Sequence, residues 1–280
     1  MNHAEVQLYE RRSLTDGYPN LQQIGSEYFA AHQADPSTRY IDEVLKAIDV
    51  LLPPAAEVRR IAVTGCGQDP HSLKRLLEQG YVATGVEPIE EFVELARQAV
   101  GERERVLLGC AEGLPLESGS QDVIWLESVL EHVDSVPKSL AEAYRVLAPG
   151  GLLYVKTTNR WRLSLLGTNH EFRVPFFNWF PAIVKECYVF AHLHYKPHLA
   201  NYTPRPAVHW FTYPELCRLG REAGFAHFYS LLDVLTLDSA HMSGSFLRRT
   251  LVRLARRNLW IKALALSQVG GTVFMWKRAK

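Results

Sequence analysis

At 280 residues, 47% of them hydrophobic, the chain can bury a substantial core and sits near the upper size for one domain with insertions, so one globular unit is expected. Thirty-one basic against thirty acidic residues leave a net charge of +1, which excludes a global field favouring nucleic acid and leaves local clusters to argue for themselves. The four cysteines, Cys66, Cys110, Cys187 and Cys217, have neither paired-ligand spacing nor disulfide-scaffold density and fit a reducing cytoplasm, while no run approaches the ~18 apolar residues of a membrane span.

Met1–Arg12 lacks an apolar signal region, so no secretory leader is expected. Residues 1–59 turn from polar to helical in pattern, with Ile41, Val44, Leu45, Ile48 and Leu52 on one face before Pro53-Pro54 ends the run. They read as an N-terminal helical cap. Tyr28 and Arg39 could close over a ligand there, although packing is the expected use of each.

Residues 60–158 alternate short β-rich runs with helical ones. Strands are expected near 60–64, 82–87, 105–109, 122–127 and 151–157, and helices near 70–79, 90–100 and 136–147; this alternation argues for parallel βαβ units. The first strand runs into Gly65-Cys66-Gly67, where Gly-x-Gly lets the backbone turn tightly and approach a ligand while the next helix offers its N-terminal amides. Asp69 and Pro70 suit the N-cap and first helical position. The second strand ends in Glu87, about twenty residues on, where an acid can accept both hydroxyls of a ribose. Gly109-Cys110-Ala111-Glu112 and then Asp122–Glu127, leading into Ser128-Val-Leu-Glu131-His132, complete the order and spacing of a nucleotide-like cofactor site.

The segment 159–208 breaks this rhythm with ten aromatic residues between Trp161 and Tyr202, and a connection of that length is expected to be a lid over substrate. His192, His194 and His198 lie within it at a spacing that matches no zinc pattern, so no metal is expected. Beyond it, residues 209–280 supply the rest of the core: a helix near 213–224, a strand near 226–235 and a final strand near 272–277. Between them, 245–262 carries six basic residues and no acid. Leu247, Leu251, Leu254 and Ile261 can share a face there, so this amphipathic helix either packs beside the sheet, the expected arrangement, or lies on an anionic membrane.

Together with Leu147-Ala-Pro149-Gly150-Gly151-Leu152, these motifs resemble the class I S-adenosylmethionine-dependent methyltransferases, in particular the branch of quinone-biosynthesis methyltransferases. The resemblance is close over 60–157 and looser from His209–Leu216 to Phe225. It implies an α/β fold, a Rossmann-like doubly wound sheet of seven mostly parallel strands, with S-adenosylmethionine at the carboxyl ends of the strands. Gly65, Cys66 and Gly67 would lie under its methionine moiety, Glu87 with Pro88 would hold the ribose, Cys110, Ala111 and Glu112 would border the adenine, and the loop after Glu127 would face the reacting methyl. Three positions depart from the family: Val63, Asp69 and Cys110 stand where many relatives carry an acid, a glycine and an aspartate. A nicotinamide-dependent dehydrogenase shares the strand, glycine loop and ribose acid, but its third glycine would fall at Pro70.

Methyl transfer needs alignment, water exclusion and, for a hydroxyl acceptor, removal of one proton. His132, at the mouth of the site, and His170 and His209, near the two ends of the lid, are the candidate bases. The expected activity is O-methylation of a small or lipid-like acceptor, not a nucleic acid, in the cytoplasm or at the membrane periphery. The rival is a noncatalytic relative that keeps the fold to bind a partner.

Overall fold

The computed structural model describes residues 39–52, 59–160, 174, 176–177, 180–181, 184–185, 188, 207–234, 246–266 and 271–279. Period-two burial sets its architecture. In β1 (Arg60–Thr64), Ala62 faces one apolar layer while Ile61 and Val63 face another. β4 (Gln121–Glu127) separates Ile124 and Leu126 from Val123 and Trp125 in the same way, and β5 (Leu147–Thr157) separates Leu153 and Val155 from Leu152 and Tyr154. A sheet that is apolar on both faces has to be covered on both, the condition of a parallel βαβ arrangement.

With β2 (Val82–Glu87), β3 (Val106–Leu108), β6 (His227–Ser230) and β7 (Gly271–Trp276), the strands form one seven-stranded sheet in the order β3-β2-β1-β4-β5-β7-β6. β3, β2, β1, β4 and β5 are parallel, and β7 runs antiparallel to both of its neighbours. The Trp125 face is covered by α1 (Arg39–Leu51), α2 (His71–Glu78) and α3 (Glu90–Val100); α4 (Val136–Val146) and α5 (Tyr213–Glu222) cover the other. Ile41, Val44, Leu45, Ile48 and Leu52 all turn into the Trp125 layer, so the one-face spacing of α1 is used for packing.

Several expected boundaries move, each for a local reason. Pro70, not Asp69, caps α2 at φ −82° and ψ 67°, and the Asp69 carboxylate pairs instead with Lys74 (3.0 Å) and His71 (3.1 Å). A 3₁₀ turn at Arg103–Arg105 takes the expected start of β3. β5 begins at Leu147 because the Pro149-Gly150-Gly151 bend is absorbed as a shift in register: Gln121 pairs with Leu147, and Val123 with Leu152. β6 stops at Ser230, whose N–H and hydroxyl both donate to Asp233 Oδ2 (2.8 and 2.7 Å) and open the short helix α6 (Leu231–Val234).

The basic stretch is two helices, α7 (Phe246–Arg257) and α8 (Leu259–Leu266), broken at Asn258, whose Oδ1 accepts the Ile261 N–H (3.2 Å). The segment expected as a lid lies largely outside the described residues, as do Tyr28, His170, Cys187, His192, His194 and His198. Of its described part, Phe177 and Lys185 are buried against Trp210, with the ring centroids 5.8 Å apart and Lys185 Nζ 4.2 Å from the indole centroid.

Candidate active site

Strand order reverses around β1, which has β2 on one side and β4 on the other. Connections leave such neighbours toward opposite faces, so a crevice opens at the carboxyl ends of the strands. A cleft of about 710 Å³, counted out to its open mouth, occupies that place. Thr64, Gly65 and Gly67 line it from β1, Glu87 and Pro88 from the end of β2, and Cys110, Ala111 and Glu112 from the loop after β3. The turn after β4 adds Ser128, Val129, His132 and Val133.

The two glycines do different work. Both hold left-handed φ, 70° at Gly65 and 69° at Gly67, a conformation that costs other residues about 1–2 kcal/mol. A Cβ on Gly65 would sit 2.6 Å from Val129 Cγ2, whereas one on Gly67 would meet nothing within 4 Å. Gly65 thus permits close packing of the loop on the β4 turn, and Gly67 keeps space open. The loop is stitched to β2: the N–H groups of Gly65 and Cys66 donate to the Val86 carbonyl (2.7 and 3.3 Å), and the Gly67 N–H donates to Glu87 Oε2 (3.0 Å).

Glu87 Oε1 accepts the Ile89 N–H (3.3 Å), so both carboxylate oxygens are held by main-chain donors. The side chain is 4% exposed, and burial pushes its carboxyl from 4.5 up to about 7 against the opposing pull of the two amides. Each oxygen keeps a lone pair for a further donor. A group with adjacent hydroxyls and one flat face suits this corner, because Ile89, Phe92, Ala111 and Val133 supply apolar wall beside the carboxylate.

Other sequence candidates are placed less directly. Glu112 lines the cleft, yet its Oε1 accepts the N–H groups of Asp134 (2.6 Å) and Ser135 (3.2 Å), which ties the loop after β3 to the start of α4. Cys66 is buried outside the lining; burial, reinforced by Glu87, pushes its thiol up to about 12. Glu127 also lies outside the lining. It accepts from Lys156 Nζ (2.6 Å) and Trp125 Nε1 (3.2 Å), and the same ammonium sits 4.7 Å from the Tyr40 ring centroid. His132 lines the cleft with a mostly buried ring. His209 does not; its Nε2 lies 2.9 Å from the Val133 carbonyl and its N–H donates to the Glu131 carbonyl (3.2 Å), so it braces the wall from behind.

Sequence reasoning did not single out Thr64, Ile89, Phe92 and Val133 as wall, nor Glu131 as a buried acid, while Ser128 and Val129 belong to the loop after Glu127 that it expected at the site. Ser128 holds a left-handed φ of 54° while its N–H donates to Lys156 O (2.8 Å), a strained conformation at the cleft edge. Glu131 is 1% exposed and accepts the Thr157 hydroxyl at 2.6 Å; burial pushes its carboxyl up, partly offset by that bond. An acid within the apolar run Val129-Leu130-Glu131 was the available signal.

Comparison with known proteins agrees with this geometry. Residues 63–155 match a family model described as a methyltransferase domain. The chain is 30% identical over 115 residues to the malonyl-[acyl-carrier protein] O-methyltransferase of Pectobacterium atrosepticum, covering 41% of this chain and 45% of that protein. It is 43% identical over 58 residues to the ubiquinone/menaquinone biosynthesis C-methyltransferase UbiE of Dinoroseobacter shibae, 21% of this chain and 23% of that one. It thus spans less than half the length of these curated relatives. Among solved structures, phosphoethanolamine N-methyltransferase 2 of Haemonchus contortus, in complex with S-adenosyl-L-methionine, shares the fold with a TM-score of 0.52 at 13% identity, over 92% of this chain and 56% of that one. The stretch 63–155 that matches the methyltransferase-domain model contains every segment that lines the cleft, so the likeness to methyltransferases rests on the part of the chain that builds the site.

Proposed function

We propose that the protein transfers a methyl group from S-adenosylmethionine to oxygen on a small or lipid-like acceptor. The observation that carries the reading is the Glu87 carboxylate at the end of β2, joined by the Gly67 N–H to a left-handed glycine loop at the point where strand order reverses. When bound, S-adenosylmethionine supplies a methyl group on a positively charged sulfur, open to in-line displacement. Everything asked of the chain is then binding, orientation, exclusion of water and removal of a proton.

In this reading Glu87 takes the ribose hydroxyls, with Pro88 beside it, and the backbone of Gly65, Cys66 and Gly67 takes the methionine portion. Cys110, Ala111 and Glu112 wall the adenine, and Ser128 turns the chain after Glu127 toward the acceptor. Glu127 acts indirectly, by holding Lys156 and the end of β4 in place. Of the three candidate bases, His132 is the one at the cleft, His209 is a brace, and His170 lies outside the described residues. Oxygen is favoured over carbon as acceptor by the malonyl-carrier relative, whose match spans the longer stretch.

Val63 favours the second reading, a binding protein without turnover, because it is buried in the Trp125 layer and offers no polar group where many relatives have an acid. Photolabelling with methyl-labelled S-adenosylmethionine and peptide mapping tests the site. Label is expected on peptides containing 64–67, 87–92, 110–112 or 128–133; label confined to other regions would contradict the assignment.

A further inference from the structure

The stretch 245–262 concentrates six basic residues and no acid in a chain of net charge +1, and α7 shows which of its sides faces outward. Phe246 is 80% exposed and Leu254 46%; Arg253 and Arg257 are also exposed, and Thr250 is partly so. Positions 246, 250, 253, 254 and 257 fall on one side of a helix at 100° per residue. Ala255, on the opposite side, is buried at 3%. Packing beside the sheet with Leu254 inward was the expectation from periodicity, and the structure turns Leu254 out.

The outward face is carried on a fastened element. Lys262 of α8 pairs with Asp233 of α6 (2.7 Å), and the Leu266 carbonyl at the end of α8 accepts from Asn159 Nδ2 (2.8 Å), just past β5. The helix pair therefore ends at the carboxyl edge of the sheet, the edge on which the cleft opens. At twelve residues α7 is too short to span a bilayer. Two large apolar side chains set among arginines on one exposed face match the interfacial plane of a bilayer, where acyl chains meet negatively charged headgroups.

We propose that the outward face of α7 docks the protein on an anionic lipid surface, with Phe246 and Leu254 entering the headgroup boundary and Arg253 and Arg257 facing lipid phosphates. Docking would hold the cleft edge near a membrane-dissolved acceptor, but it does not depend on the methyl-transfer reading. Sedimentation with vesicles of phosphatidylcholine alone, or with about one-third phosphatidylglycerol, across a salt series reads it directly. The wild type is expected to pellet with the anionic vesicles at low salt and to be released as salt rises. Arg253→Gln with Arg257→Gln should lower the partition coefficient roughly thirtyfold, at about one kcal/mol per arginine. Phe246→Ser should weaken what binding remains at high salt. Circular dichroism and thermal melts on the same preparations show whether the variants are folded, and calorimetric S-adenosylmethionine binding read separately keeps a failure of docking distinct from a failure of the cofactor reading. Equal recovery in the supernatant with every vesicle, or equal pelleting of wild type and variants, would overturn the proposal; so would tight binding of a short labelled oligonucleotide without vesicle binding, which would reassign the face to another polyanion.

Discussion

Single residues at the cleft carry separable loads, and the two glycines show how to separate them. Gly65→Ala must bear both a left-handed φ and a Cβ 2.6 Å from Val129 Cγ2, whereas Gly67→Ala bears the φ alone. Gly65→Ala is expected to cost about 2–4 kcal/mol of stability and Gly67→Ala about 1–2. Thermal melts that rank the two the other way would refute the packing role of Gly65. Glu87 gives a pH dependence. Burial pushes its carboxyl up to about 7, and the anion is the better acceptor for ribose hydroxyls. Affinity for S-adenosylmethionine should therefore fall as pH drops below 7, by up to about tenfold per unit; titrations that are flat from pH 8 to about 5.5 would exclude an ionised Glu87 from binding. Both residues stand out in the sequence, because glycine is the ready solution for a left-handed turn and an acid at a strand end about twenty residues past a Gly-x-Gly loop is the spacing expected of a ribose partner. Ser128 is not legible: a serine does not demand the φ of 54° it adopts, and only tertiary packing imposes it.

At the scale of elements, the parallel strands and their helices follow from apolar alternation, while the side chains at their ends do not. Glu127 reads as a cleft residue by position, yet the strand pleat puts it on the Trp125 side, where Lys156 of β5 claims it. That partner comes from a neighbouring strand, and one-dimensional spacing is blind to it. α5 shows the contrary case: Thr212 and Glu215 form a reciprocal capping box, a local pattern readable as Thr-x-x-Glu. Glu131 links the β4 turn to β5 through Thr157 and carries a testable energy. Its folded carboxyl is raised above the ordinary 4.5, so its favourable contribution is fully present below that value and is lost as pH rises through the raised one. Glu131→Gln keeps an oxygen for the Thr157 hydroxyl and has nothing to titrate. The variant is expected to lose less stability than wild type between about pH 5 and pH 8, and parallel thermal-midpoint curves would show that Glu131 titrates normally.

Across the whole molecule, the order β3-β2-β1-β4-β5-β7-β6 explains why motifs spread over some seventy positions meet: every parallel strand ends at one edge, and the reversal around β1 leaves room there. The near-neutral total charge conceals the basic face of α7, so composition alone misses a surface whose chemistry suggests a partner. The central claim is that the cleft holds S-adenosylmethionine through Glu87. Isothermal titration of the purified protein with S-adenosylmethionine and S-adenosylhomocysteine, repeated on Glu87→Ala, tests it most directly. Saturable binding of both ligands to the wild type is expected, weakened by about 1–3 kcal/mol in the variant, since two hydroxyls lose a charged acceptor. No heat from either ligand with folded wild type, or equal affinities in wild type and variant, would contradict it.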